Sequence, residues 1–209
     1  HQVEHCFYPF FAALLQEYYT KHDTKHIAAH THNKSKALIC LNGTTRAHRA
    51  YTIHKLHELN LIENNHISFN TSDPSDPSEW LRATVKDHFD VDIGFLKDIR
   101  LSSESDVARP CWDTGLDEHC ESVFSLVTET HYASRTEIPS YAAFVTEKTF
   151  KPIAFGMPFL LLGTPVQNKA THAAGYETFG SYFHLDESIN PNYSTAELYN
   201  IILDKAKEK

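Results

Sequence analysis

The 209-residue chain has no apolar run close to the roughly 20 residues that a bilayer-spanning helix needs. Its longest apolar stretch near the start, residues 7–15, lacks the basic flank and cleavage site of a secretory signal. It has no Cys-x-x-Cys pair, no His-Glu-x-x-His zinc motif, no Gly-x-Gly-x-x-Gly turn and no phosphate-loop lysine motif. Internal repeats and low-complexity tracts are absent as well. Positive charge is in the minority: 19 Lys and Arg stand against 27 Asp and Glu, for a formal net charge of −8. That balance excludes non-specific attachment to nucleic acid or anionic lipid through overall charge. A local cationic pocket for a small anion remains compatible with it.

What is present fits a globular chain. The hydrophobic fraction is 41% and the charged fraction 22%, enough for one core with an appendage. The four cysteines, Cys6, Cys40, Cys111 and Cys120, are widely spread. They suit free thiols in a reducing compartment, hence a cytoplasmic location, although Cys111 and Cys120 are near enough in sequence for a disulfide loop. Among the 15 histidines, His26, His30 and His32 form the densest group, read as a solvated loop with a metal site as the lesser alternative. No metal or other cofactor is expected. The chain opens on His1 and not on Met, which suits a trimmed or partial chain.

Hydrophobic patterning predicts an apolar helix over 6–21, then a polar linker to residue 35. Short apolar runs at 36–41 (KALICL), 66–69 (HISF), 122–128 (SVFSLVT) and 158–162 (PFLLL) read as buried strands. Helical spacing covers 46–59, 79–89 behind an N-cap Ser78, 147–155 behind Thr146, and 165–174. Residues 90–120 give no clear reading and 131–143 read as a loop. A short strand at 181–185 and a helix at 195–207 complete the expectation. Strand and helix alternate, so the predicted fold class is α/β, a Rossmann-like parallel sheet with helices on both faces. Two units are expected: an N-terminal helix and linker over 1–35 and a Rossmann-like domain over 36–209; the resemblance described below implies that the first is the remnant of an acceptor domain and the second binds a nucleotide sugar.

Polar clusters follow the strands, where ligands of parallel sheets bind. Asn42-Gly43-Thr44-Thr45-Arg46-Ala47-His48-Arg49 runs from a strand into a helix start. Cations at a helix start oppose the dipole, which suits a compensating anion such as a diphosphate; two surface arginines are the alternative. Thr146 caps the helix that begins at Glu147, and Lys148 opposes that helix dipole in the same way. Glu147 is fitted to accept from ribose or sugar hydroxyls. A capped amphipathic helix with no ligand role is the competing reading.

The segment 144–163, FVTEKTFKPIAFGMPFLLLG, resembles the donor-site motif of the α-1,3-fucosyltransferases and related nucleotide-sugar transferases of the GT-B fold. That motif reads aromatic-x-Thr-Glu-Lys, short helix, Gly-x-Pro and an apolar strand. The strand SVFSLVTET, 122–130, looks like the family strand that ends in a carboxylate near the donor, here Glu129. LICLNGTTRAHR, 38–49, is similar to the strand–Asn–x–Arg–x–x–Arg segment of viral and bacterial relatives, and GYETFGSYFHLDES, 175–188, to a tail that follows the motif. The resemblance spans about residues 36–190. It implies a donor site of Asn42, Arg46, His48, Arg49, Glu129, Thr146, Glu147 and Lys148, with no catalytic base identified. It further implies a GDP- or UDP-linked sugar as substrate, a glycan or other hydroxyl acceptor, and a second domain or chain completing the site. Two departures stand out: Thr128-Glu129-Thr130 replaces the family's aromatic–Glu–Asn, and Lys151-Pro152 replaces ordinary helical residues, which is expected to shorten or kink the helix. The three clusters should converge on one edge of the sheet, with the arginines on the same face as Lys148 and with Glu147 free of salt bridges. The alternatives are a degenerate, non-catalytic module with an assembly role and an unrelated nucleotide or phosphate enzyme.

Overall fold

The computed structural model describes residues 34–70, 78–96, 116–130 and 144–179. Four strands form one parallel sheet: β1 (Lys36–Asn42), β2 (His66–Phe69), β3 (Ser122–Thr128) and β4 (Phe159–Leu162), in the order β2-β1-β3-β4. β1 pairs with β2 from Ile39↔His66 to Asn42↔Phe69, and with β3 through Leu38↔Phe124; β3 pairs with β4 from Ser125↔Phe159 to Thr128↔Leu162. The strands expected at 36–41, 66–69, 122–128 and 158–162 are all present. Their near-continuous apolar runs reflect burial on both faces, as parallel strands require.

The helices are α1 (Ala47–Glu58), α2 (Glu79–Phe89), α3 (Leu116–Glu121), α4 (Glu147–Ala154) and α5 (Pro165–Ala173). α1 and α2 cover one face. Ala50, Ile53 and Leu56 of α1 and Leu81 and Val85 of α2 pack against Leu38, Cys40, Phe69, Phe124 and Leu126. Tyr51 stacks on Phe89 at 4.2 Å between ring centres and joins the two helices. α4 covers the other face: Ile153 packs with Val127, Phe159 and Leu161, and Phe155, just after the helix, packs with Ile39 and Met157. The α/β arrangement read from the sequence is therefore the arrangement observed.

Local signals set the helix limits. Ser78 accepts from the Leu81 N–H and starts α2; Asp90, at φ 55°, ends it in the left-handed conformation. Asn60, at φ 57°, turns the chain just after α1. α4 runs only eight residues, with Pro152 in its last turn and Gly156 at φ 59° just beyond, so the proline accompanies a short helix. α5 begins with a reciprocal cap in which Thr164 Oγ1 accepts from the Gln167 N–H and Gln167 Oε1 accepts from the Thr164 N–H. α3 lies in the stretch that gave no clear sequence reading. The helix expected over 6–21, the His26–His32 group, the loop at 131–143 and the elements expected over 181–207 fall outside the described residues.

Cys40 and Cys120 carry free thiols, and Cys111 lies outside the described residues. Among the described residues, no helix is long and apolar enough to cross a membrane, and no group of three or more His, Cys, Asp and Glu is arranged to hold a metal ion.

Candidate functional site at the carboxyl edge of β1 and β3

From β1 the chain moves outward to β2 on one side; from β3 it moves outward to β4 on the other. The switch point lies between β1 and β3, and the crevice beyond their carboxyl ends is where open parallel sheets take ligands. Of the expected donor-site residues, Asn42, His48, Arg49, Glu129 and Thr146 are tied to one another at the ends of β1 and β3.

Asn42 closes the strand ends. Its side-chain N–H donates to Ser68 O at 3.1 Å on β2, and its Oδ1 accepts from Thr128 Oγ1 at 2.5 Å on β3. One fully buried amide thus ties three strands at the switch point. Cys40, two residues earlier, is buried; desolvation pushes its thiol up to about 12, against partial relief from Asn42 and Arg49. At neutral pH it is a protonated core thiol and no nucleophile.

His48 and Arg49 turn inward. His48 Nε2 lies 2.8 Å from Glu129 O. Arg49 donates to Thr44 O at 2.9 Å, and its other terminal nitrogen reaches Thr128 O at 3.3 Å and Glu129 O at 3.4 Å. These side chains are almost fully buried, and both hold carbonyls at the end of β3. The sequence placed Arg49 against a diphosphate; the structure gives its guanidinium to the backbone.

Glu129 is fully buried and carries four hydrogen bonds on its carboxylate. Oε1 accepts from the Thr146 N–H at 2.9 Å and Thr149 Oγ1 at 2.5 Å; Oε2 accepts from Thr146 Oγ1 at 2.8 Å and the Thr130 N–H at 3.1 Å. Glu129 therefore anchors the start of α4 to the end of β3. A buried carboxylate is tolerable only with such a set of donors, and the α4 N-terminus adds its dipole. Thr149 was not among the expected site residues. The Thr146-x-x-Thr149 spacing was its signal, since it puts two hydroxyls on the first turn of one helix.

Glu147 and Lys148 begin α4, and Arg46 stands just before α1. Lys148 Nζ lies 3.0 Å from Glu147 Oε1 and 3.3 Å from Thr146 Oγ1, and both charged side chains are partly buried. The expectation of a Glu147 free of ion pairs is therefore not met: a lysine one residue away is within reach of it. Arg46 is the N-cap of α1. It provides no side-chain cap, and the first turn of α1 holds no acidic residue.

The expectation that the arginines and Lys148 share one face of the sheet is corrected. α1 and α4 lie on opposite faces and share only the carboxyl edge. The reason is topological. At a switch point the two connections leave on opposite sides, so the helices flanking the crevice come from opposite faces and aim both N-termini into it. Glu129 is the physical link, with its carbonyl held by α1 and its carboxylate by α4. Comparison with protein-family models, curated proteins and solved structures gives no match to the chain.

Proposed function

We propose that the chain is the donor-binding domain of a glycosyltransferase that takes a nucleotide-diphosphate sugar and passes the sugar to a hydroxyl acceptor. The observation that carries this reading is the uncapped N-terminus of α1, with Arg46 on it and no acid in its first turn, facing the crevice that α4 enters from the other face with Lys148. Backbone N–H groups and cations meeting at a switch point favour a diphosphate. The aromatic-x-Thr-Glu-Lys likeness of residues 144–148 supplies the sugar-nucleotide part of the reading.

The chemistry assigned to these groups is charge stabilisation. As the glycosidic bond breaks, negative charge gathers on the diphosphate; Arg46, Lys148 and the α1 N–H groups hold it without needing a metal. Glu147 accepts from a sugar or ribose hydroxyl, with Lys148 as its resting partner. Direct displacement inverts the sugar carbon. The base that deprotonates the acceptor is assigned to a second domain or chain, and the protein to the cytoplasm.

A different reading is favoured by one observation. Asn42, His48, Arg49 and Glu129 all spend polar atoms on tying strand and helix ends together. A domain kept only for assembly would retain such a set and need no ligand. Thermal shift with GDP and UDP separates the two. Binding at about 100 times the dissociation constant adds roughly 2.7 kcal/mol to stability. Turnover of a GDP- or UDP-sugar with an added hydroxyl acceptor then establishes transfer. No shift with any nucleoside diphosphate at millimolar concentration refutes the donor site.

A further inference from the structure

One histidine of α1 is held where a proton is costly. His54 lies in the second half of the helix, roughly 12 Å along the axis from Arg46 at about 1.5 Å per residue, and so away from the carboxyl edge of the sheet. Its imidazole meets two aromatic rings: Tyr51 is stacked at 6.3 Å between centres, and Phe95 is tilted against it at 5.5 Å. Phe95 also meets the His57 ring at 4.7 Å. Phe95 comes from the turn after α2, which the Leu96 N–H closes onto Ile93 O at 2.9 Å. Ile93 and Leu96 are buried in the core, whereas Phe95 is 44% exposed. The core therefore fixes the turn, and only the α1 rings hold Phe95 down, so its ring can turn away while its neighbours stay in place.

The surroundings of His54 suit a neutral ring. Its Nε2 lies 3.3 Å from Glu58 Oε1, while its Nδ1 is buried with no hydrogen-bond partner among the described residues. A neutral imidazole leaves a bare lone pair there; a protonated one puts a cationic N–H where nothing accepts it. The charged groups acting on His54 all come from α1: Glu58 favours the proton, and Lys55 and His57 oppose it. Glu58 is already shared with Lys55 at 2.7 Å. The neighbouring elements bring no spare acid. Asp92 in the turn accepts from the Gly94 N–H at 2.8 Å. α2 meets the cluster through Phe89 against Tyr51, while its Lys86 pairs with Asp90 and its His88 lies 3.7 Å from Asp87. Desolvation is the largest influence and holds the imidazole below its ordinary value, with Glu58 offsetting part of it. We propose that His54 and Phe95 form a proton-sensitive clamp: with His54 neutral, Phe95 lies over α1, and with His54 protonated, the Phe95 ring turns away and admits water to Nδ1. A depressed value in the covered state means that the uncovered state takes the proton more readily. Covering is therefore fully favoured above the ordinary histidine value and is lost as the pH falls below it. The clamp stands apart from the donor crevice and holds whatever ligand that crevice takes.

Proton NMR of the imidazole and Phe95 ring signals between about pH 8 and about pH 5 tests the clamp in the wild-type chain, Phe95→Ala and His57→Gln. In the wild type, His54 is expected to titrate below the ordinary value of about 6.5, and the nuclear Overhauser contacts between the Phe95 and His54 rings are expected to fade with the same midpoint. Each pH unit raises the ratio of released to covered rings by at most about tenfold, the limit for one proton. Phe95→Ala removes an exposed side chain, which the fold tolerates, and is expected to raise the His54 midpoint toward the ordinary value. The reason is reciprocity: a ring that the proton expels must itself disfavour the proton. His57→Gln is expected to leave the release of Phe95 in place. An unmoved His54 midpoint in Phe95→Ala overturns the proposal. So does a wild-type His54 that titrates at or above about 6.5, or a Phe95 ring that keeps its contacts once His54 is protonated. Loss of the release in His57→Gln assigns the sensing to His57 and overturns the assignment to His54.

Discussion

The residue that best separates structure from chemistry is Glu129. A carboxylate at the end of a strand beside a ligand crevice invites a catalytic reading, yet this one is fully buried and its two oxygens accept four hydrogen bonds. Removing it strands the Thr146 N–H and two threonine hydroxyls in the interior. Glu129→Ala is therefore expected to cost about 3 kcal/mol or more, since hydrogen bonds to a charged group contribute roughly 1.5–3 kcal/mol each and unmade ones are penalised. Chemical denaturation checks this; a variant as stable as the parent would show that the α4 anchor is dispensable. Lys148 is the opposite case. It sits in the first turn of α4, where a cation opposes the dipole, and its neighbours are Glu147 and Thr146 Oγ1. Lys148→Ala is expected to leave the melting temperature within a few degrees of the parent while weakening GDP or UDP binding. Lost stability with retained affinity would make the lysine structural.

At the scale of elements, the strength of the capping signals decided which boundaries were readable. Ser78, Thr146 and Thr164 each start a helix with a side-chain hydroxyl, and all three starts were legible. α3 was not, because it is six residues long and rests on β1 and β3 more than on its own periodicity. The turn from β4 to α5 carries a dependency that caps alone do not reveal. Gln167 is fully buried; its Oε1 accepts from the Thr164 N–H and its Nε2 donates to Phe144 O, so it joins the cap of α5 to the approach to α4. A Cβ on Gly163 would overlap Gln167 Oε1. Gly163→Ala is expected to expel that side chain and cost about 1–2 kcal/mol, the range for loss of a helix cap. Gln167→Ala in the same background should add little, because the bond would already be gone. Full additivity in that double-mutant cycle would show that Gly163 acts by another route.

For the molecule as a whole, charge and topology point in different directions. The net charge of −8 repels polyanions, while the proposed donor site draws on Arg46 before α1 and Lys148 in the first turn of α4. A protein built this way should be selective by size: it should bind a small diphosphate and ignore a duplex. No retention of a random DNA duplex is expected at about 0.15 M salt, where non-specific association depends on neutralising many phosphates at once. Fluorescence anisotropy measures this, and micromolar duplex affinity would contradict the charge argument. Closure of the crevice by a second domain or chain belongs to the same proposal, since one half of a two-sided site leaves its ligand open to solvent.

The four buried strands and the helices that follow them were set by local sequence. Continuous apolar runs such as Phe159–Leu162 admit little except a strand covered on both sides, and a threonine or serine before an amphipathic run marks a helix start. That Asn42 and Glu129 stand at neighbouring carboxyl ends follows from parallel order, and that too was readable. Only the tertiary structure decided what each polar side chain does there. Arg46 and Arg49 are three residues apart on one helix start, and nothing local distinguishes them. Rotation about α1 sends Arg49 onto the carbonyls at the end of β3, whereas Arg46, at the N-cap, makes no side-chain cap. Which residue anchors the fold depends on what lies across the sheet, 80 residues away in the chain for Arg49 and Glu129. Hydrophobic periodicity carries no information at that separation.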